Sequence, residues 1–433
     1  MEYLEFWSRF QAAEQKADVF SIQTLGYQLY PMLRTRLYYQ LAQELGIFDN
    51  PHPNAEAKSE LEVVNLNHLI TLPAEVVIVP FVRLVGSEDV YSQPFADAFG
   101  PRARVISHSE LAEVRSYGKN KFDRFVYDSM LKEKRRDVRD RWAQMAAAFE
   151  AELGVDLGKF QEFPNWLVRR YIGECLAFKE LFSGLGTKKL YIVNAYSHPS
   201  LVVGARQAGV KVIEIQHGFI SEYHPAYSYP KLRIQTAPNK LLTWGDHWKR
   251  AARFPKGMRA ATVGPANNYR LARAGFRESA KPNTILFSSQ GAIGQALISE
   301  AISWATELPE FEITFRLHPN EDLAEYQKLA LPGNLALSHK QPSFLDLMQA
   351  NRYLVGGFST TIYEALGFGL RAIALRLPGV ENLKLAAAQG DLEIAELGLD
   401  RTELLALLSR ATPAKNPYSY YAKEFDLKVA LRA

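Results

Sequence analysis

Apolar residues change their spacing along this chain, and the changes mark its architecture. Residues 1–50 carry apolar side chains such as Leu25 and Leu29 at helical spacing, so we expect this region to be helical, with a loop at 49–54. A short apolar run at 75–84, with Pro80 as a flaw, predicts the first strand, and 104–107 a second short one. Long helices are expected over about 114–185.

From Lys188 onward, short apolar runs alternate with amphipathic segments, which indicates parallel sheets with helices on their faces. A polar stretch at 274–283 separates two such series and reads as a linker. We therefore predict an α/β fold with a first domain at 1–275 and a second at 276–415. The predicted strands are 189–194, 210–215, 241–244 and 261–263, then 284–288, 311–317, 335–338, 353–355 and 371–377.

Ligands of parallel sheets bind beyond the carboxyl ends of the strands, and polar residues cluster there in this sequence. In the first half, His217 directly follows a predicted strand and is a candidate general acid or base. A structural histidine at a turn is the alternative. The polar residues that follow strands in this half include Gln216, His217, Gly218, Glu222, His224 and Asp246.

The stretch 355–370 contains the clearest chemistry. Ser359, Thr360 and Thr361 fall at the expected N-cap and first turn of a helix, where hydroxyls and the positive end of the helix dipole favour an anion. Glu364 follows on the first or second turn, where a carboxylate can accept hydrogen bonds from ribose hydroxyls. An ordinary strand–turn–helix unit with a hydroxyl cap is the alternative.

Two further strand ends in the second half are polar or contain glycine. Three such ends, in the order expected for one crevice, favour a binding site. The residues at the other two ends are Ser289, Gln290 and Gly291, and Arg316, His318 and Pro319.

Composition restricts the partners and the compartment. The 433 residues are 47% hydrophobic and 23% charged, with a net charge of +4, which is too small to favour nucleic acid as the main partner. Cys175 is the only cysteine, which fits a reducing, cytoplasmic location. The acidic N-terminus and the lack of an apolar run of about 20 residues argue against a signal peptide and a membrane span.

A basic stretch and an aromatic N-terminus are each compatible with contact with an anionic partner or with lipid. The stretch 115–141 holds ten Lys or Arg against five Asp or Glu. It reads as a solvated helical face or as a patch for an anionic acceptor or membrane. The aromatic N-terminus (Tyr3, Phe6, Trp7, Phe10) is expected to pack on the first domain, and contact with lipid is the alternative.

Three motifs together resemble the GT-B glycosyltransferases, and more narrowly bacterial surface-polysaccharide transferases that use CMP-linked Kdo or sialic acid. CDP-glycerol-using teichoic acid polymerases are similar in outline. The resemblance covers about 188–377 and implies two Rossmann-like domains facing across a cleft. The final segment at 416–433, in which residues 418–431 are predicted to form a helix, would cross back to the first domain. The matching motifs are Gln216-His217-Gly218, Arg316-Leu317-His318-Pro319, and Ser359-Thr360-Thr361 followed by Glu364-Ala365.

The resemblance also implies roles for individual residues. His318 would contact the donor phosphate and assist departure of the nucleotide, Ser359 and Thr360 would grip the phosphate, and Glu364 would bind ribose. The remaining candidates for the donor site are Ser289, Gln290, Gly291, Arg316, Pro319 and Thr361. The candidates for the acceptor side are Gln216, Gly218 and His224. The candidate bases are His217, Glu222 and Asp246, of which we favour His217.

The implied substrates are a nucleotide-sugar donor and a glycan or lipid-linked glycan acceptor, with no cofactor and no metal, and with peripheral contact at the cytoplasmic face of the inner membrane. Other donors remain open: a UDP- or GDP-hexose, or CDP-glycerol for a phosphotransferase. A sugar-nucleotide 2-epimerase is a rival, although such enzymes typically show a double acid after Ser-Gly-Gly, and here Glu364 alone follows Ser-Thr-Thr. A non-catalytic assembly subunit is a further alternative.

Overall fold

The computed structural model describes residues 1–48, 65–81, 84–85, 88–89, 91–133, 135–158, 162–266 and 282–433. The predicted loop at 49–54 lies outside these residues, as does most of the linker at 274–283. The strands are β1 (Gln23–Thr24), β2 (Tyr27–Gln28), β3 (Val76–Val79), β4 (Leu84–Val85), β5 (Glu88–Asp89), β6 (Ala103–Val105), β7 (Lys189–Val193), β8 (Lys211–Ile215), β9 (Lys240–Thr243), β10 (Arg259–Thr262), β11 (Thr284–Ser288), β12 (Glu312–Arg316), β13 (Leu335–Ser338), β14 (Tyr353–Gly356), β15 (Arg371–Leu375) and β16 (Leu392–Ala395).

The helices surround two sheets, and three long ones lie in the region 108–185, where the sequence predicts long helices. They are α1 (Tyr3–Lys16), α2 (Tyr30–Glu44), α3 (Gln93–Phe99), α4 (His108–Lys132), α5 (Arg135–Leu153), α6 (Asn165–Leu185), α7 (Pro199–Gln207), α8 (Gly294–Glu307), α9 (Leu323–Tyr326), α10 (Phe344–Ala350), α11 (Thr360–Phe368), α12 (Lys384–Ala388), α13 (Arg401–Arg410) and α14 (Leu427–Leu431). No helix among the described residues is long and apolar enough to cross a membrane.

The N-terminal sheet is parallel, with the strand order β6-β3-β7-β8-β9-β10. Its first large strand, β3, ends at Val79 rather than continuing to residue 84 as predicted, because Pro80 has no N–H to donate to a neighbouring strand. The strand order reverses between β3 and β7. That point is where open α/β sheets bind ligands.

The C-terminal sheet is also parallel and has the Rossmann order β13-β12-β11-β14-β15-β16. Its chain order reverses between β11 and β14, where Ser288 pairs in register with Gly356. The polar strand ends predicted for this half therefore lie at the switch point and beside it.

The first 48 residues form two helices and not one continuous helical region. Leu25 and Gly26 adopt positive φ angles of 49° and 79°, and they make the turn between β1 and β2. Helical spacing of Leu25 was therefore misleading, since a left-handed turn ends any helix. The aromatic residues of α1 (Tyr3, Phe6, Trp7 and Phe10) are buried in a cluster with α2 and α5, as the packing interpretation predicts.

The last 18 residues do not form the predicted helix at 418–431. Only the short helix α14 and a 3-10 turn at Pro417–Ser419 are helical. The chain between them hydrogen-bonds to the N-terminal domain instead, with Ala422 N donating to Trp244 O (2.8 Å). Gly245 allows this approach, since a Cβ there would lie 2.2 Å from Ser419 O. The segment thus reaches the N-terminal sheet mainly through its backbone.

The carboxyl edges of the two sheets face each other. Phe219, in the loop after β8, donates its N–H to Thr360 Oγ1 at the start of α11 over 3.2 Å. A single apolar cluster also includes residues of both sheets, for example Ile215 and Leu354. The predicted α/β fold, two Rossmann-like domains that face one another as in GT-B proteins, is confirmed. The predicted domain boundary at residue 275 falls outside the described residues.

Candidate functional site

The C-terminal part of the site lies at the start of α11, next to the switch point. Ser359 is the N-cap, and its Oγ accepts a hydrogen bond from Thr361 N over 3.3 Å. Ser288 Oγ, at the end of β11, donates to Thr361 Oγ1 over 3.1 Å. The predicted hydroxyl cluster therefore lies at the positive end of a helix, where it can receive an anion.

The turn after β14 packs closely against the turn after β11. A Cβ on Gly357 would lie 2.3 Å from Ile293 Cδ1 and 3.3 Å from Gln290 Oε1. Gln290 Oε1 is buried and has no hydrogen-bond partner in the described part of the chain. Gly291 begins the 3-10 turn that leads into α8. Both loops of the switch point thus meet, as the order of the predicted strand ends suggested.

Glu321 organises the His-Pro turn, and the sequence analysis gave it no role. Its Oε2 accepts from His318 N (2.6 Å), and its Oε1 accepts from Ser289 Oγ (2.9 Å) and Tyr326 Oη (2.5 Å). A Cβ on Gly294 would lie 2.2 Å from Glu321 Oε1. The only signal in the sequence is an acid three residues after His318, the spacing at which a side chain can reach back to the backbone.

The imidazole of His318 is exposed, and its Nδ1 accepts a hydrogen bond from Asn320 N over 3.3 Å. This bond assigns the proton of a neutral ring to Nε2, which can then donate to a ligand. Pro319 beside it is exposed as well. Glu364 is half-buried on the second turn of α11.

Arg316 is used within the C-terminal domain. Its Nη1 donates to Ser338 Oγ and to Pro342 O, both over 2.9 Å, which holds the loop between β13 and α10. Burial lowers the pKa of Arg316. The guanidinium therefore has a structural function at the carboxyl edge of the C-terminal sheet.

The N-terminal part of the site is the loop after β8. Gln216 is buried, and its Oε1 accepts from Trp244 N while its Nε2 donates to Gly218 O, each over 2.9 Å. These bonds fix the loop that carries His217. The His217 carbonyl accepts from Tyr91 Oη (3.0 Å), and its Nε2 lies 3.3 Å from Tyr196 Oη.

The other predicted acceptor-side residues occupy different surroundings. His224 is buried, and desolvation, with smaller contributions from His217 and Arg34, lowers its pKa to about 3, so its ring stays neutral. Its Nδ1 accepts from Ala226 N over 3.2 Å. His224 and His217 both contact the ring of Tyr196, with centroid distances of 5.6 and 5.8 Å.

Glu222 and Asp246 are not held beside His217 by any contact among the described residues. Glu222 is exposed on the loop that follows. The Asp246 carboxylate binds Lys249 Nζ (2.7 Å) and Thr262 Oγ1 (2.5 Å), and these two partners lower its pKa. Asp246 is therefore engaged in a local surface pair.

Glu214 is a buried carboxyl group that the sequence analysis did not single out. It lies on β8, accepts from Tyr227 Oη (2.9 Å) and Ala195 N (3.2 Å), and its pKa is raised to about 7 by burial. A charged residue inside the apolar strand VKVIEI was the available signal. Glu214 lies two residues before Gln216, and its two hydrogen bonds connect β8 to the turn after β7 and to Tyr227, in the segment after the His217 loop.

The two predicted motifs meet between the domains. Phe219 N contacts Thr360 Oγ1, and the position of a Cβ on Gly218 would be 3.9 Å from the same oxygen. No group of three or more His, Cys, Asp or Glu side chains within the described ranges could hold a metal ion. The arrangement joins a helix terminus suited to phosphate with a loop that presents an imidazole.

Comparison with known proteins gives likeness at the level of solved structures. No family model and no curated protein matches this sequence. A putative UDP-N-acetylglucosamine 2-epimerase from Listeria monocytogenes aligns over 82% of this chain and 95% of its own, with 12% identity and a TM-score of 0.49. MurG from Acinetobacter baumannii aligns over 81% of this chain and 95% of its own, with 12% identity and a TM-score of 0.45.

The glycotransferase of kitacinnamycin aligns over 81% of this chain and 92% of its own, with 12% identity and a TM-score of 0.48. Likeness at these values carries no conclusion about function. The fold assignment rests on the two sheet topologies, and the function must be argued from the site.

Proposed function

We propose that this protein is a glycosyltransferase that moves a sugar from a nucleotide donor to a cell-surface polysaccharide or glycolipid. The observation that carries the proposal is the meeting of the two switch-point edges, with Phe219 N 3.2 Å from Thr360 Oγ1. A donor bound at the start of α11 would have its reacting end directed toward the loop of His217. Transfer requires this juxtaposition of two sites.

The donor side supplies stabilisation of negative charge. A departing nucleotide gathers charge on its phosphate, and the hydroxyls and the positive end of the helix dipole at the start of α11 would stabilise that charge. His318, whose exposed ring lies on the His-Pro turn after β12, would add a further hydrogen bond to the phosphate. The ribose would be bound by Glu364, one turn further along the helix.

The acceptor side supplies a base. An acceptor hydroxyl must lose its proton as it attacks the sugar, and His217 is the candidate for this step. Tyr196 Oη, 3.3 Å from His217 Nε2, orients the ring. Gln216 holds the same loop through its bonds to Trp244 N and Gly218 O.

CMP-linked Kdo or a sialic acid is the donor class we favour, because the three motifs resemble transferases of that type. We extend the proposal to a cytoplasmic location with peripheral contact at the inner membrane. Phe125 and Leu131 on α4 and Trp166 on α6 are large apolar side chains exposed to solvent, and they suit such a contact.

The test is a thermal-shift titration with CMP, CDP, UDP and GDP on the wild type, Thr360→Val and His318→Gln. A ligand that binds the folded state raises the melting temperature by mass action. We expect CMP to stabilise the wild type and both variants to lose most of the response. Thr306→Val, at an exposed position on α8, is the matched control and should respond like the wild type.

Release of CMP from CMP-Kdo and CMP-sialic acid in the presence of bacterial glycolipid then tests transfer. Stabilisation by UDP or GDP alone would show that the donor is a UDP- or GDP-hexose and not a CMP-sugar. Stabilisation by CDP alone would favour the CDP-glycerol alternative. Epimerisation of UDP-N-acetylglucosamine without an acceptor would favour the epimerase. If no nucleotide binds, the transferase proposal is wrong and a non-catalytic assembly role replaces it.

A further inference from the structure

The N-terminal domain contains a cavity of about 900 Å³ that is separate from the proposed donor site at the start of α11. It lies outside the carboxyl end of β7, is open to solvent, and is lined by residues of α2, α4, α6 and the loop that leads into α7. Small-molecule sites have volumes of about 300–1,000 Å³, so this space is large enough for more than one sugar unit. We call it the arginine cavity, after Arg36, Arg115 and Arg170 in its lining.

The charge of the arginine cavity is positive. Its lining contains three arginines and one acid, Glu174. Arg170 Nε binds Glu174 Oε1 (2.9 Å), Ser200 Oγ donates to Oε2 (2.7 Å), and Arg115 Nε is 4.0 Å from Oε2. One carboxylate is thus shared by two guanidinium groups, which leaves excess positive charge facing the space.

The other partners of these arginines do not neutralise them. Arg115 Nη2 donates to His198 Nδ1 over 2.7 Å, and that ring is neutral because desolvation, with help from Arg115, lowers its pKa to about 3. Arg36 is exposed on α2, and no acidic side chain of the described residues pairs with it. Arg36 therefore offers a free guanidinium fork to a carboxylate or phosphate.

The basic stretch 115–141 divides between this cavity and the outer surface. Lys121 binds Glu180 (2.9 Å), Arg124 binds Asp128 (2.9 Å) and Arg141 binds Asp18 (3.3 Å). These pairs form a solvated face, as the simpler interpretation of the sequence predicted. Arg115 alone, of the described residues in the stretch, lines the cavity.

The arginine cavity adjoins the candidate base. Tyr196 belongs to its lining, and Tyr196 Oη lies 3.3 Å from His217 Nε2. A molecule in the cavity can therefore place a hydroxyl group beside Tyr196, next to the loop that carries His217. The loop of His217 is thus contacted by the cavity through Tyr196 and by the start of α11 through Thr360.

We propose that the arginine cavity binds the acceptor, and that the acceptor is an acidic glycan with a carboxylate or phosphate close to the reacting sugar. This inference rests on the proposed function and adds the class of acceptor. In the transfer, the acceptor oxygen bonds to the anomeric carbon and gives its proton to His217. The bond from that carbon to the phosphate oxygen breaks, and its electron pair leaves with the nucleotide.

Saturation-transfer NMR can test this with three probes: galacturonate, glucose 6-phosphate and glucose. The two acids separate a carboxylate from a phosphate, and glucose is the neutral comparison. We expect at least one acid to bind the wild type, and the Kd of that acid to rise about tenfold in Arg36→Gln, as for a lost charge-assisted hydrogen bond. The matched control is Arg124→Gln, at a position 82% exposed on the outer face of α4, and it should leave the Kd unchanged.

Equal binding of glucose and both acids would overturn the inference, as would absence of binding by both acids or an unchanged Kd in Arg36→Gln. The nucleotide titration on the same variants separates the two proposals. If Arg36→Gln keeps both the nucleotide response and the wild-type affinity for acids, the acceptor class is wrong and the transferase stands. If acids bind through Arg36 but no nucleotide binds, the transferase fails and the acidic-ligand site stands.

Discussion

The carboxyl edges of the two sheets face the same cleft but are built differently. In the C-terminal domain, short side chains and backbone close to one another in the fold make the site, as in the bond between Ser288 and Thr361. In the N-terminal domain, the segment that follows the His217 loop is held by Arg34 of α2, which lies 194 residues before its partner Ser228 in the chain. The C-terminal edge is made of short side chains and backbone groups, whereas the N-terminal edge is held by buried charged side chains.

Arg34 is the centre of the N-terminal arrangement. Its guanidinium is 0% exposed, and it binds Glu14 through Nε (2.5 Å) and Nη2 (3.0 Å). Its Nη1 donates to the carbonyls of Pro225 and Ser228, the latter over 2.7 Å, and its charge lies 4.5 Å from the centroid of the Tyr229 ring. The helices α1 and α2 are thereby fastened to the segment that follows the His217 loop.

Breaking this buried pair should have the largest effect. Arg34→Ala leaves the Glu14 carboxylate buried without its partner, and we expect a loss of about 3–5 kcal/mol in the free energy of unfolding. Urea denaturation followed by fluorescence measures it. Arg9→Ala is the control, because Arg9 is 47% exposed and its pair with Glu5 should contribute no more than about 1 kcal/mol.

A double replacement sharpens that comparison. Arg34→Met combined with Glu14→Leu removes both charges, and it should recover much of the lost stability because no unpaired charge stays buried. Equal losses in Arg34→Ala and Arg9→Ala would show that the N-terminal edge does not depend on the buried pair.

Glu214 should give the next largest effect, and it depends on pH. The pKa of Glu214 is about 7 in the folded protein, and its ordinary value, which applies to the unfolded chain, is 4.5. Between pH 4.5 and about pH 7, the folded protein therefore retains a proton that the unfolded chain releases. The free energy of unfolding contributed by this group therefore falls as the pH rises through this interval, by about 3 kcal/mol in total. Glu214→Gln cannot lose a proton and removes this slope.

Melting curves of wild type and Glu214→Gln over this pH interval provide the measurement. The variant should gain stability relative to the wild type as the pH rises. The buried histidines 198, 224 and 247, whose pKa values are lowered, contribute to both proteins and cancel in the difference. Parallel curves would show that Glu214 is ionised in the folded protein over the whole pH interval, and that burial does not raise its pKa.

The smallest effect belongs to the C-terminal edge. Ser359→Ala removes the cap of α11 and should cost about 1 kcal/mol, and Ser343→Ala should cost a similar amount because Ser343 caps α10 in the same domain. Only Ser359→Ala should also reduce the thermal response to the nucleotide that binds the wild type. Equal responses in the two variants would mean that the start of α11 is an ordinary helix cap.

Strand–helix alternation was sufficient to predict the two parallel sheets, because buried parallel strands are continuous apolar runs and their order along the chain is simple. The cap at Ser359 and the polar strand ends were readable for the same reason, since hydroxyl caps and glycine turns act within a few residues. The predicted helix at 418–431 was wrong, because Gly245 and Gly264 offer this segment a backbone partner far away in the sequence.

The sequence by itself determined the fold class and the hydroxyl cap of α11, since both follow from periodicity and local capping. Only the tertiary structure decided which charged side chains meet their partners: Glu321 with the His-Pro turn, Arg34 with Glu14, and three arginines around one cavity. Electrostatic pairing depends on distance in space and on the loss of water, and neither quantity is written in the spacing of residues along a chain.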